Sequence, residues 1–180
     1  MRHYVLTDVP ETEVRARLDP DNFAAPMLVP FLTWLAEIQG LEAGFSDIVV
    51  ATVAQPDRAT RLNRRDIESS AAHSRVSRAL HHRGEVELWT NPDGRQLAIF
   101  GTGVAGRLEL SVEIAPAQRG RGTAASLISE AVLTRKPGTP VFAQVSPGNV
   151  ASLRAFLAAG FKPICSEVIF ANPEGATVTA

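Results

Sequence analysis

A strand that turns into a helix across a basic glycine loop constrains this chain more than any other stretch. Residues 107–135 read R-L-E-L-S-V-E-I-A-P-A-Q-R-G-R-G-T-A-A-S-L-I-S-E-A-V-L-T-R. The first part alternates strictly. Leu108, Leu110, Val112 and Ile114 fall on one face of a strand, and Arg107, Glu109, Ser111 and Glu113 on the other. Pro116 removes a ladder donor and ends the strand. After Gln118-Arg119-Gly120-Arg121-Gly122-Thr123-Ala124 the apolar period becomes helical, through Leu127, Ile128, Ala131 and Val132. The first amides of such a helix have no intrahelical acceptors, its dipole favours an anion, and glycine lets the backbone approach closely. Arg119 and Arg121 add charge and donors. This is the chemistry of a phosphate site. By spacing alone, an ordinary strand-to-helix connection with solvated arginines accounts for it equally well.

Two familiar phosphate loops do not fit. A Walker loop needs Lys-Ser/Thr after the second glycine, where Thr123-Ala124 stand. A dinucleotide fingerprint has a third glycine, sometimes alanine, where this chain has Ala125, and an acidic residue about 20 positions on. A formal G-x-G-x-x-G also occurs at Gly101-Thr-Gly103-Val-Ala-Gly106, but it lies between two strands and opens no helix.

A better match exists. Arg119-Gly120-Arg121-Gly122-Thr123-Ala124 resembles the R/Q-x-x-G-x-G/A pyrophosphate loop of the GNAT superfamily of acyl-CoA-dependent N-acyltransferases. Val112-Glu113-Ile114-Ala115-Pro116 is similar to that family's V-x-V-x-P strand end. Asn149-Val-Ala-Ser152-Leu-Arg-Ala-Phe156-Leu-Ala-Ala-Gly160-Phe161 resembles its N-x-x-S/A-x-x-x-Y-x-x-x-G-F helix. The resemblance covers about Glu85 to Phe170. It implies an α/β (α+β) fold with a mixed, mostly antiparallel, V-splayed sheet flanked by helices. It also implies acetyl-CoA as acyl donor and direct attack by an amine on the thioester. No metal is expected, since the adjacent His81 and His82 point in different directions on a helix and no partner is spaced for tetrahedral ligation. Coenzyme contacts would fall to Val112 and Ile114, to Arg119, Gly120, Arg121, Gly122, Thr123 and Ala124, and to Asn149, Ser152 and Phe156.

The catalytic groups are less fully supplied. If the 107–114 strand is central in its sheet, Glu109, Ser111 and Glu113 are polar where packing would prefer apolar side chains. Glu113 lies nearer the expected thioester and is the expected base. A solvated polar face is the equal alternative at this point. The family's usual acid, a tyrosine, is replaced by Phe156, which has no proton to give, and Ser152 and Asn149 remain as hydrogen-bonding groups near the sulfur. Cys165 is not expected to act as a nucleophile, since it falls in an expected buried strand.

The rest of the chain sets the frame. At 180 residues it is long enough for one well-filled core. The 45% hydrophobic and 21% charged composition, with a net charge of −1, carries no general signal for a polyanion partner. A lone cysteine leaves no intramolecular disulfide and no multi-cysteine zinc site. No signal peptide is evident, and the apolar segment from Met27 to Ile38 is too short for a membrane span, so a cytoplasmic protein without membrane partner is expected.

Helices are expected over Glu11–Leu18 and from about Pro30 to Gly40 as C-cap, and a strand over Ser46–Ala54 closed by Gln55-Pro56-Asp57. Arg58 to Arg83 reads as one long helix or two short ones with a solvated arginine face. No aromatics interleave with those arginines, so nucleic acid is not an expected partner. The strands at Glu85–Trp89 and Gln96–Phe100 flank Asn91-Pro92-Asp93-Gly94, a hairpin turn. A strand over Val141–Val145, a helix ending at Gly160 and a final strand or bent pair over Phe161–Phe170 complete the reading.

The chain is thus expected as one domain over residues 1–180. Residues 1–84 form a divergent part on the acceptor side, 85–170 an acyl-CoA-binding core and 171–180 a frayed tail. The expected activity is acetyl transfer to the primary amine of a small molecule. Protein N-acylation and a non-catalytic acyl-CoA sensor or subunit are the alternatives, and a homodimer is compatible with each.

Overall fold

The computed structural model describes residues 2–55 and 59–173. It divides into two compact units, one of Asp47–Glu167 and one of Met1–Ser46 with the residues from Val168 onward. The larger unit is organised around strand β5 (Leu108–Ile114). The strands are β1 (Glu42–Val53), β2 (Asn63–Arg65), β3 (Gly84–Thr90), β4 (Gln96–Thr102), β5, β6 (Pro140–Val145) and β7 (Lys162–Ala171). They form one mixed, mostly antiparallel sheet in the order β2-β3-β4-β5-β6-β1-β7. Strands β1 and β7 each contribute residues to both units.

The helices are α1 (Glu11–Ala16), α2 (Val29–Gln39), α3 (Ser74–His82), α4 (Thr123–Val132) and α5 (Val150–Ala158). The alternation of β5 sorts its side chains as the sequence indicates. Leu110 and Ile114 are buried with Phe100, Leu127, Ile128 and Phe156, against α4 and α5. A fully buried leucine or isoleucine of this kind stabilises by about 1.5–3 kcal/mol. On the opposite face, Val76 and Ala79 of α3 pack on Leu88 of β3 and Ile99 of β4. Ile99 is the register partner of Ser111, so α3 lies on the polar face of β5.

The β3–β4 hairpin closes at Asn91–Gly94, with Gly94 at φ 71° and its amide donating to the Asn91 carbonyl at 3.0 Å. In the smaller unit α2 ends at Gly40, φ 64°, and the amide of Leu41 reaches the Ala36 carbonyl at 2.9 Å, a left-handed C-cap. Pro30 sits in the first turn of α2, where no amide is missed. Phe31 and Leu35 of α2 bury themselves with Val14 of α1.

Three expectations change. The arginine-rich stretch is not a continuous helix. It holds the edge strand β2, paired antiparallel to β3, a 3-10 turn at Glu68–Ser70, and only then α3. Between residues 59 and 73 no apolar face of helical period exists to bury, and pairing of Arg64 with Trp89 supplies the backbone partners instead. Cys165 is exposed rather than buried, because β7 is an edge strand. The strand expected from Ser46 begins earlier, at Glu42. The turn residues Pro56 and Asp57, Arg58, and the tail from Glu174 lie outside the described residues.

Candidate active site

Strands β5 and β6 run parallel and pair at a single position among the described residues, Glu109 opposite Phe142. Each is fully paired on its other side, β5 to β4 over seven residue pairs and β6 to β1 from Val145 to Pro140. The two strands therefore part beyond that point. The opening becomes a cleft of about 780 Å³, walled by Leu110–Ile114 on one side and Gln144, Val145 and Ser146 on the other.

The glycine loop closes one end of the cleft. Pro116–Gln118 forms a 3-10 turn, and Gly120 and Gly122 follow at φ 76° and 73°, conformations that favour glycine. A Cβ on either would meet no atom within 4 Å, so open space lies before both. The amides of Gly120, Arg121 and Gly122 donate no hydrogen bond among the described residues, and the N-terminus of α4 has no side-chain cap. The loop is held from behind. Arg119 Nε donates to the Ile114 carbonyl at 3.0 Å and Thr123 Oγ1 to the Gln118 carbonyl at 3.1 Å. Free amides, a helix N-terminus and vacant space in front of them suit a pyrophosphate.

Helix α5 forms another side. Asn149 caps it, its side-chain oxygen accepting from the Ser152 amide at 3.1 Å. Ser152 lines the cleft, and its hydroxyl has no protein hydrogen bond among the described residues. Phe156 is 2% exposed and packs edge-on against Phe161, ring centroids 5.0 Å apart.

The structure brings together Val112, Glu113, Ile114, Arg119, Gly120, Gly122, Thr123, Ala124, Asn149, Ser152 and Phe156 around this one cleft; Arg121 is not on its lining. It also adds residues that the sequence did not single out as site residues, Arg75, Gln144, Ser146 and Arg154. Arg154 sits inside the α5 motif and Ser146 in the loop before it, so both had a local signal. Arg75 had none, being one arginine of a run.

The polar face of β5 carries two carboxylates, Glu109 and Glu113, on either side of Ser111. Glu109, 3% exposed, accepts from Arg83 Nε at 3.1 Å and Arg107 Nη2 at 3.2 Å. Arg83 Nη1 also donates to the Ser111 hydroxyl at 3.2 Å. Arg107 holds both oxygens of Glu167 at 2.9 Å, and Gln144 Nε2 donates to Glu167 at 2.6 Å. Burial raises the Glu167 carboxyl, but the hydrogen bonds from Arg107 and Gln144 outweigh it and hold its pKa below the usual glutamate range. Burial lowers the Arg83 guanidinium pKa against the opposing pull of Glu109. Among the described residues, Arg107 Nε is buried without a hydrogen-bond partner.

Glycines make room for this network. A Cβ at Gly101 would stand 2.8 Å from Cβ of Arg83, and one at Gly103 would overlap the Glu109 carboxylate. The G-x-G-x-x-G at 101–106 thus seats an ion network. At the cleft end of the same face, Glu113 receives Arg75 Nε at 2.9 Å, with His73 Nε2 at 3.7 Å.

Among the described residues no group of three or more His, Cys, Asp or Glu side chains could hold a metal ion, and no helix is long and apolar enough to cross a membrane. No protein-family model and no curated protein matches the chain. Solved structures do. A GCN5-related N-acetyltransferase from Kribbella flavida aligns with 81% of this chain and 65% of its own at 16% identity and a TM-score of 0.51. One from Sphaerobacter thermophilus aligns with 78% and 55% at 19% identity and a TM-score of 0.47. An acetyltransferase of the GNAT family from Colwellia psychrerythraea aligns with 79% and 60% at 11% identity and a TM-score of 0.49. The chain thus spans 55–65% of the length of these structures. The first of these likenesses carries the conclusion that this chain has the GNAT fold.

Proposed function

We propose that this chain is an acyl-CoA-dependent N-acyltransferase, and that it moves an acetyl group from acetyl-CoA to the primary amine of a small molecule. One observation carries the reading: the parting of β5 from β6 opens directly beside a glycine loop with unpaired amides. In this reading residues 85–170 hold the coenzyme, and α3, from the part before residue 85, lines the acceptor side.

Acetyl-CoA would supply the activated acyl group and a thiol leaving group. The amides of Gly120 to Ala124 would hold its pyrophosphate, with charge from Arg119, and the backbone at Val112 and Ile114 would align the pantetheine and face the thioester oxygen. Asn149, Ser152 and Phe156 would flank the sulfur end. Glu113 would bind the incoming ammonium and take its proton, directly or through water. The amine nitrogen then bonds to the carbonyl carbon, the carbon–sulfur bond breaks, and its electron pair leaves with sulfur. The second proton, left on the newly acylated nitrogen, would pass to solvent, and Ser152 would relay a solvent proton to that sulfur. Phe156, buried against Phe161, lacks a proton to give, and it is the observation that favours a non-catalytic acyl-CoA sensor as the second reading.

Titration of the purified protein with acetyl-CoA, followed by thermal unfolding, tests the coenzyme site. A rise in melting temperature that grows with ligand concentration is expected. Gly122→Glu should abolish it, since the new carboxylate would project into the space before the loop and repel the pyrophosphate, on a backbone at φ 73° that already disfavours a side chain. Absence of any shift in the unaltered protein at millimolar acetyl-CoA would overturn the reading. A shift without thiol release on any amine would select the sensor.

A further inference from the structure

We propose that the Arg75–Glu113 pair is the acceptor subsite, and that the acceptor is a free α-amino acid, a primary ammonium with a carboxylate one carbon away. The inference rests on the acyltransferase reading of the same cleft and narrows its substrate class.

Both members of the pair line the cleft, their side chains 43% and 27% exposed, so each is open to a ligand. They are in direct contact, Arg75 Nε to Glu113 Oε2 at 2.9 Å. Any acceptor whose ammonium approaches Glu113 therefore competes with a guanidinium. A simple cationic amine would strip Arg75 of its partner and leave two positive groups side by side. A zwitterion exchanges one internal pair for two new ones, ammonium on Glu113 and carboxylate on Arg75, with no charge left over. Because the two protein groups touch, the ligand's two charges must also be close together, as they are in an α-amino acid.

The surrounding residues hold the two charges in place. Arg75 is carried by α3, which is anchored by Val76 and Ala79, both buried on β3 and β4. His73 caps that helix, its Nδ1 accepting from the Arg75 amide at 3.3 Å. The hydrogen of the neutral ring is thereby fixed on Nε2, which faces Glu113 Oε1 at 3.7 Å. The other guanidinium groups of the cleft are Arg119 and Arg154; the first is tied to the Ile114 carbonyl beside the glycine loop. A protein N-terminus has no carboxylate one carbon from its amine, so the same pair disfavours a protein acceptor.

The test pairs each standard L-amino acid with its carboxamide, measuring thiol release from acetyl-CoA by the full chain. At least one amino acid should exceed its amide by tenfold or more in kcat/KM, chiefly through KM. Arg75→Gln should bring that ratio close to one, and Arg75→Lys should restore part of it. Equal or faster reaction of every amide overturns the acceptor assignment. So does a ratio unmoved by Arg75→Gln, or no thiol release with any amino acid while acetyl-CoA still raises the melting temperature. Loss of that temperature rise in the unaltered protein instead overturns the acyltransferase reading itself, and this inference with it.

Discussion

Glu109 and Glu113 stand four residues apart on the same face of the same strand, yet they live in different surroundings. Glu109 lies where β5 is paired on both sides, nearly sealed from solvent between Arg83 and Arg107. Glu113 lies past the point where β6 has left, and its carboxylate borders a cleft. One alternating pattern thus yields a structural ion cluster at one end and an accessible carboxylate at the other. The sheet's splay, and not the residue type, decides which glutamate is available for chemistry.

The largest effect should come from the closed end. Glu109→Ala leaves two guanidinium groups over the sheet without the carboxylate that both share, one of them already carrying an unpartnered Nε. Removing one member of a buried ionic cluster typically costs about 3–5 kcal/mol. Chemical denaturation of the variant should show a loss of that size. A loss below about 1 kcal/mol would mean that the cluster is wet and that the two ends are alike.

Gly103→Ala attacks the same cluster from the backbone. Its methyl would occupy the position of the Glu109 carboxylate, forcing either strand end or ion pair to move. Overpacking of this kind costs about 1–3 kcal/mol. Restoration of stability in the double variant Gly103→Ala/Glu109→Ala, relative to the sum of the single losses, would show that the two act through one contact.

Glu167 extends the cluster to β7 and gives it a pH signature. Its folded pKa lies below the ordinary glutamate value, so its stabilising contribution is present above that ordinary value and is lost as pH falls through the folded one. Glu167→Gln should therefore destabilise by about 1–2 kcal/mol at neutral pH, allowing for the partial exposure of the pair. The gap from the unaltered protein should close in acid. A gap that stays constant with pH would assign the stability to shape instead of charge.

The elements that define the splay were readable because each has a local cause. Alternation set β5, Gly40 ended α2, Asn91–Gly94 turned the hairpin, and Gly120 with Gly122 marked the entry to α4. Much of the cleft lining was readable for the same reason, since the glycine loop and the start of α5 that wall it are contiguous motifs. What escaped depends on distant residues. Nothing near Arg64 announces that Trp89 will be its strand partner, and nothing near Arg75 announces Glu113, 38 residues on. Arginines of identical local character were therefore read alike, although one pairs at an edge strand and another reaches the cleft. Glu109 and Glu113 likewise could not be told apart until the register of β6 was known.

The smallest effect on stability should belong to the open end, where function would show the contrast instead. Glu113→Gln keeps the shape of the side chain and an acceptor for Arg75 Nε, and a partly exposed ion pair contributes at most about 1 kcal/mol. If Glu113 takes the ammonium proton, kcat for acetyl transfer should fall by roughly 10²-fold or more, the usual contribution of a positioned base. The thermal shift with acetyl-CoA should persist, because the glycine loop and α5 are untouched. A variant with unchanged kcat would remove Glu113 from the chemistry and leave both glutamates as structural members of one polar face.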